Sequence, residues 1–219
     1  IRTSLLAILI LTATSLNAAD LKTVKPEYVG MSSDRLARIK PLMQSYVDEG
    51  KFAGVQTLIA RKGKIVHFEQ VGKLSLDTGA NIEKDSLFRI YSMTKPITSV
   101  AAMLLFEQGK FQLDEPIANY LPEFSNVKVL VNDVLVEPDH APTIRELISH
   151  TAGLTYGIFS NTEVDKRYRE ALWGDRGVLD LTNYRGDSIQ LKVTNLDEMS
   201  KAIANIPLLY QPGSRWVYS

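Results

Sequence analysis

The 219-residue chain contains no cysteine, which excludes disulfides and thiolate metal sites. Its three histidines are scattered, so a histidine-rich metal centre is not expected, and no cofactor is implied. Neither sign of charge is in excess: 25 Lys and Arg balance 25 Asp and Glu. Dedicated nucleic-acid binders carry a basic surplus, so no nucleic-acid partner is expected. The glycine signatures G-x-S-x-G and the Walker loop are absent, as are internal repeats and low-complexity segments. What remains is an ordinary globular composition, 45% hydrophobic and 23% charged, sufficient for one large domain or two small ones.

The first 19 residues read as a secretory signal. Arg2 is their single charge, 5–11 is an apolar core, and Leu16-Asn17-Ala18-Ala19 offers small residues for cleavage. Seven apolar residues are too few to span a bilayer, and no cysteine follows to carry a lipid. The expectation is a secreted or periplasmic protein without a stable membrane anchor after cleavage. The alternative is a buried N-terminal helix. Ile1 is not a methionine, so the N-terminus is expected to be clipped.

Next come a helix over 30–48, capped by Ser32 or Ser33, and two β-rich runs, 54–60 and 65–71, joined by the hairpin signal Arg61-Lys62-Gly63-Lys64. His67 is expected as a strand residue rather than a ligand. Residues 72–85 are a polar loop, and Arg89 is expected in a structural contact. A short helical piece is expected over 113–120. Asn132-Asp133 separates two valine-rich runs, 127–131 and 134–136, as in a small hairpin. Thr143-Ile144-Arg145-Glu146 has the capping-box pattern, which predicts a helix over 144–149. His150 is expected to hydrogen-bond local backbone. Helices are also expected over 164–172 and 196–206, the second capped by Thr194 or Asn195. A loop over 173–186 lies between them, in an irregular stretch, 155–194, that could line a pocket.

The chain is organised around residues 87–108. A strand-like lead ends near Ser92, and 97–106 carries no charge, with apolar residues at 97, 100, 101, 104 and 105. That is helical spacing, and small or apolar residues on the other side predict a helix buried all round. Pro96 is tolerated only in a first turn, so the helix begins close to Ser92. Ser92 and Lys95 then share a face at the positive end of the helix dipole, where an oxyanion is stabilised. A desolvated Lys95 would have a lowered pKa and could take the serine proton. The bland reading is a capping serine with a solvated lysine, and S-x-x-K alone is weak, since chance delivers about one match in a chain this long. Ser125-Asn126-Val127-Lys128 also matches, but there Val127, Val129 and Val131 alternate as in a strand. Residues three apart in a strand point to opposite faces, so that match is expected to be inert.

Phe88-Arg89-Ile90-Tyr91-Ser92-Met93-Thr94-Lys95-Pro96, Leu147-Ile148-Ser149-His150-Thr151-Ala152-Gly153-Leu154 and Pro212-Gly213-Ser214-Arg215-Trp216-Val217-Tyr218-Ser219 occur in this order. Together they resemble the serine hydrolases related to class C β-lactamases, within them the family VIII esterases. The resemblance covers about residues 28–219. It implies an α+β fold of the β-lactamase and penicillin-binding-protein kind: an antiparallel sheet flanked by helices, with an inserted, mainly helical subdomain. By that likeness residues 20–115 belong to the α/β domain with the serine helix, and 116–219 to the helical subdomain, up to the tyrosine segment. Ser92 would be the acylated nucleophile, Lys95 its proton-accepting neighbour, and Tyr218 a general base or acid beside both. The tyrosine motif's third residue would follow Ser219, and the strand-borne third motif is not in the chain, so a fragment lacking C-terminal strands is expected. The implied activity is hydrolysis of a small-molecule ester or amide through an acyl-enzyme, with carboxylic ester hydrolysis leading. The alternatives are β-lactam or D-alanyl-D-alanine peptide hydrolysis, and a non-catalytic penicillin-binding-like module.

Overall fold

The computed structural model describes residues 21–173 and 191–219. The signal-like segment and nearly all of the loop expected over 173–186 lie outside the described residues. The chain divides into two compact units, Ile1–Arg89 and Ile90–Ser219. The division falls ahead of the serine helix.

In the first unit the helix expected over 30–48 is two pieces, α1 (Ser33–Leu36) and α2 (Ile39–Asp48). Ser32 caps α1, its hydroxyl accepting from the Arg35 amide at 3.3 Å. Pro41 accounts for the break: it has no N–H to give the Ala37 carbonyl, so it fits only in the first turn of a restarted helix. Strands β1 (Gly54–Arg61) and β2 (Lys64–Gly72) form an antiparallel hairpin, from Gly54 opposite Gly72 to Arg61 opposite Lys64, with a shift of register between Ile59 and Ala60. The turn residues Lys62 and Gly63 both have positive φ, 51° and 67°, the primed geometry whose twist matches the strands. His67 is a strand residue, paired across the hairpin with the Thr57 hydroxyl at 2.7 Å.

The second unit carries the serine helix. Residues 87–90 are not a strand; Tyr91–Met93 is a 3-10 turn, and helix α3 runs from Thr94 to Glu107. Strands β3 (Val129–Val131) and β4 (Val134–Val136) pair around Asn132-Asp133, both at positive φ. Helix α4 (Ile144–Ile148) has the complete Thr143–Glu146 capping box. Helix α5 (Glu163–Tyr168) runs into a π turn, Arg169–Trp173, and α6 (Leu196–Ala204) is capped by Asn195. The expected piece over 113–120 is a 3-10 turn, Ile117–Asn119.

Two apolar cores hold this unit. Ile117, Phe124, Val127, Val129 and Leu208 form one; Val164, Tyr168, Leu172 and Ile206 form the other. Ile203 of α6 packs against both. Leu208 is buried and its backbone extends the β3–β4 hairpin: its N–H donates to Lys128 O at 2.7 Å, and its carbonyl accepts from Leu130 N–H at 3.1 Å. Truncating such a side chain to alanine costs about 2–5 kcal/mol.

Helix α3 departs from the burial expected of it. Its half-buried positions, Lys95, Ser99, Ala102, Met103 and Phe106, recur at helical spacing and make one face. Ile97 and Val100 on the other side are 60% and 61% exposed. Composition reports that a side chain is apolar, not which neighbours reach it; here the described residues cover one face of the helix.

Candidate active site

Three segments of the second unit meet at the start of α3. In the first, Tyr91 has φ of 46°, an uncommon conformation for a bulky side chain and one that marks a tightly determined turn. That turn sets Ser92 two residues ahead of α3 and Lys95 inside its first turn.

The second segment follows α4. Thr151 N–H donates to Glu146 O at 2.8 Å and His150 N–H to Leu147 O at 3.3 Å, the paired bonds of a Schellman cap. The left-handed position, which glycine usually takes, is His150, at φ of 61°. The ring reaches a partner far along the chain: Nδ1 accepts from the Ser219 amide at 3.2 Å. An acceptor Nδ1 leaves the proton of the neutral imidazole on Nε2. The expected backbone bond of this histidine is therefore long-range rather than local. Burial, and then the Lys95 charge, hold its pKa below the ordinary value of 6.5.

The third segment, 209–219, is laced to the second by backbone. Leu209 N–H donates to Gly153 O at 2.7 Å, Gly213 N–H to Thr151 O at 2.8 Å and Val217 N–H to His150 O at 2.9 Å. These bonds carry Tyr218 to the head of α3, its ring centroid 4.8 Å from that of His150.

The structure thus brings Ser92, Lys95 and Tyr218 together. It adds Tyr156, which the sequence reading missed. Lys95 Nζ donates to the Tyr156 hydroxyl at 2.8 Å. It also lies 4.9 Å from the Tyr156 ring centre and 4.8 Å from that of Tyr218. The two tyrosine rings stack, 5.6 Å apart and 14° from parallel. A cavity of about 730 Å³ opens beside them, lined by Ser92, Lys95, His150 and Tyr156 at one end and by apolar side chains such as Leu105 and Leu147.

The electrostatics differ from expectation. Desolvation does push Lys95 down, but hydrogen bonds to the Tyr156 and Tyr218 hydroxyls and the field of those groups outweigh it, and its pKa is raised above 10.5. The expected lowering considered burial alone. Tyr218 moves the other way. The Ser92 hydroxyl, as a donor to the anion, and then Lys95, favour the phenolate against desolvation and hold it below 10.0. The arrangement is an ammonium that stays charged and a phenol made more acidic, beside a serine hydroxyl that favours the phenolate.

The other S-x-x-K match is elsewhere and otherwise engaged. Ser125 Oγ donates to Pro122 O at 2.6 Å, and Lys128 pairs with Glu137. Among the described residues no cluster of His, Asp or Glu could hold a metal ion, and no helix is long and apolar enough to cross a membrane.

Residues 39–219 match the family described as Beta-lactamase. Esterase EstB of Burkholderia gladioli is 32% identical over 183 residues, covering 84% of this chain and 42% of that protein. The solved structure of EstCE1, a hydrolase with promiscuous acyltransferase activity, superposes with a TM-score of 0.66 at 30% identity, over 85% of this chain and 44% of that one. A class C β-lactamase solved in complex with cefoxitin superposes with a TM-score of 0.55 at 16% identity, over 85% of this chain and 41% of that one. The chain spans about two fifths of the length of the curated relatives it matches. Its α+β architecture is that of the β-lactamase and penicillin-binding-protein fold.

Proposed function

On the premise that the chain belongs to the beta-lactamase family, related to esterases as well as β-lactamases, we propose that its site serves hydrolysis of small carboxylic esters through an acyl-enzyme on Ser92. The observation that carries this reading is the Lys95 ammonium held between two tyrosines, at the head of the helix that Ser92 precedes. In the proposed first step Ser92 Oγ bonds to the ester carbonyl carbon while its proton passes to the Tyr218 phenolate. Lys95 stays protonated and stabilises that anion. The tetrahedral oxyanion forms at the head of α3, where backbone N–H groups and the helix dipole favour negative charge. As the carbonyl re-forms, the carbon–oxygen bond to the alcohol breaks, and the alcohol leaves with the proton from Tyr218. Water repeats the sequence on the acyl-enzyme, losing its proton to Tyr218 and releasing the acid from Ser92.

The esterase and the acyl-transferring hydrolase among the relatives support an ester substrate, and the apolar lining of the cavity suits an uncharged acyl group. The test compares kcat/KM of the full-length protein for a p-nitrophenyl butyrate ester and a chromogenic cephalosporin. Preference for the ester is expected; preference for the cephalosporin would overturn the substrate class. Export follows in the same proposal from the signal-like pattern of 1–19. N-terminal sequencing of the mature protein is expected to begin near residue 20, and a mature chain that keeps those residues would overturn it.

A further inference from the structure

Among the described residues of the second unit, two charged side chains are buried: Asp165 is 0% exposed and Arg169 6%. Burying a charge is costly unless hydrogen bonds compensate it. The compensation here comes from one loop, 155–162. Asp165 Oδ1 accepts from the Thr155 hydroxyl at 2.8 Å. Its Oδ2 accepts from Thr162 N–H at 3.0 Å, from the Thr162 hydroxyl at 2.6 Å and from the Ser160 hydroxyl. Arg169 donates through Nη1 to Gly157 O at 2.6 Å and Ser160 O at 3.1 Å, and through Nη2 to Asn161 Oδ1 at 2.7 Å. One charge binds the loop's donors and the other its acceptors.

Capping of α5 explains the Thr162 contacts but not the rest. A capping box works at an exposed helix end and needs no buried carboxylate. The remaining bonds fall on the two neighbours of Tyr156. Thr155 is tied to Asp165 through its hydroxyl, which also accepts from Gly157 N–H at 3.2 Å. Gly157 is tied to Arg169 through its carbonyl. Its φ of 74° and the 2.4 Å that would separate an added Cβ from Tyr168 Cβ press the loop against α5. Tyr156, between these anchors, points its hydroxyl at Lys95, 2.8 Å away.

We infer that Asp165 and Arg169 form a clamp that positions Tyr156 on Lys95, and so orders the Lys95–Tyr218 pair for proton transfer. They are positioning residues and touch neither substrate nor the reacting atoms. The inference rests on the reading of Ser92, Lys95 and Tyr218 as the reacting set. Misplacing an acting group by about 1 Å costs up to about 10²-fold in rate, so the clamp's loss falls on kcat.

Removing either buried charge risks unfolding, so the test uses Thr155, at the edge of the clamp. In the full-length protein, Thr155→Val is expected to lower kcat about tenfold or more, with KM within about twofold. It is also expected to move the alkaline limb of the pH profile to lower pH, because Lys95 loses a firmly held acceptor. Thr155→Ser, which keeps the hydroxyl, restores both. In a Tyr156→Phe background Thr155→Val adds less than about twofold, since both changes remove one interaction. Losses that multiply, or an unmoved alkaline limb, would overturn the clamp. Ser92→Ala is the separate control. If it abolishes turnover while Thr155→Val behaves as wild type, the clamp alone fails; if it retains turnover, the nucleophile reading fails and takes the clamp with it.

Discussion

The chain holds the same four-residue pattern twice, and the two copies meet different fates. At Ser92 the serine precedes a 14-residue helix, the lysine lies on that helix's half-buried face, and two tyrosines from distant segments close over the pair. At Ser125 the serine lies in a 3-10 turn and donates to the backbone three residues back. Lys128 there reaches outward to the exposed carboxylate of Glu137. Spacing is identical; partners are not. A lysine beside an exposed carboxylate is a surface ion pair of small consequence. A lysine beside two phenols favours the Tyr218 phenolate and, in the proposed mechanism, becomes part of a proton path.

The largest contrast is expected from deleting the two hydroxyls in turn. Ser92→Ala in the full-length protein is expected to lower kcat by about 10⁶-fold, the size seen when a nucleophile acting in a unit is removed. Ser125→Ala is expected to leave kcat within about twofold. Steady-state esterase kinetics on the two variants decide it, and comparable losses would erase the distinction.

Tyr218→Phe and Lys95→Met are each expected to cost about 10²–10⁴-fold in kcat, the range of general acid–base catalysis. The double variant should lose far less than the product, because both act on one proton. Lys128→Met is the matched control and is expected to change nothing measurable. Strictly multiplicative losses at 95 and 218 would contradict a shared path.

The pH profile sharpens the comparison further. Tyr218 is held below 10.0 and Lys95 above 10.5, and in the proposed mechanism the phenolate–ammonium form is the active one. The kcat/KM for an ester is therefore expected to rise with pH below 10, as Tyr218 deprotonates, and to fall only above 10.5, as Lys95 does. These limbs belong to the coupled pair rather than to either residue alone. Glu137→Gln, which frees Lys128, should leave both limbs in place.

The smallest effect concerns stability. His150 has its pKa lowered in the folded protein, so the unfolded chain binds the proton more readily. Stability from the neutral ring is present above about pH 6.5 and falls as pH drops below it. Thermal unfolding between pH 5 and 8 should show a slope that His150→Asn flattens; an unchanged slope would remove His150 from the account.

Much of the frame was legible in the chain. The Thr143–Glu146 box, the Asn132-Asp133 turn and the Asn195 cap are local devices, each written within four residues, and the structure has them where expected. Ser92, Lys95 and Tyr218 were named from motifs in a known order. What was not legible depends on chain far away. Tyr156 meets Lys95 across 61 residues, with no spacing rule between them. The direction of the Lys95 shift needed those acceptors, so burial alone gave the wrong sign. His150 hides its reach inside a helix cap, where only a histidine in a glycine's conformation hints at a purpose. Asp165 and Arg169 lie in the stretch expected as a helix over 164–172, and nothing local marks the loop that folding wraps around them. Pro41 was a local signal passed over.

The central claim is that folding, not spacing, makes one of the two serines reactive. The most direct measurement treats the full-length protein with a fluorophosphonate probe and locates the adduct by intact mass and peptide mapping. A single adduct on the peptide carrying Ser92, with Ser125 unmodified, is the predicted result. An adduct at Ser125, or no stoichiometric adduct at Ser92 in a protein that hydrolyses esters, would contradict it.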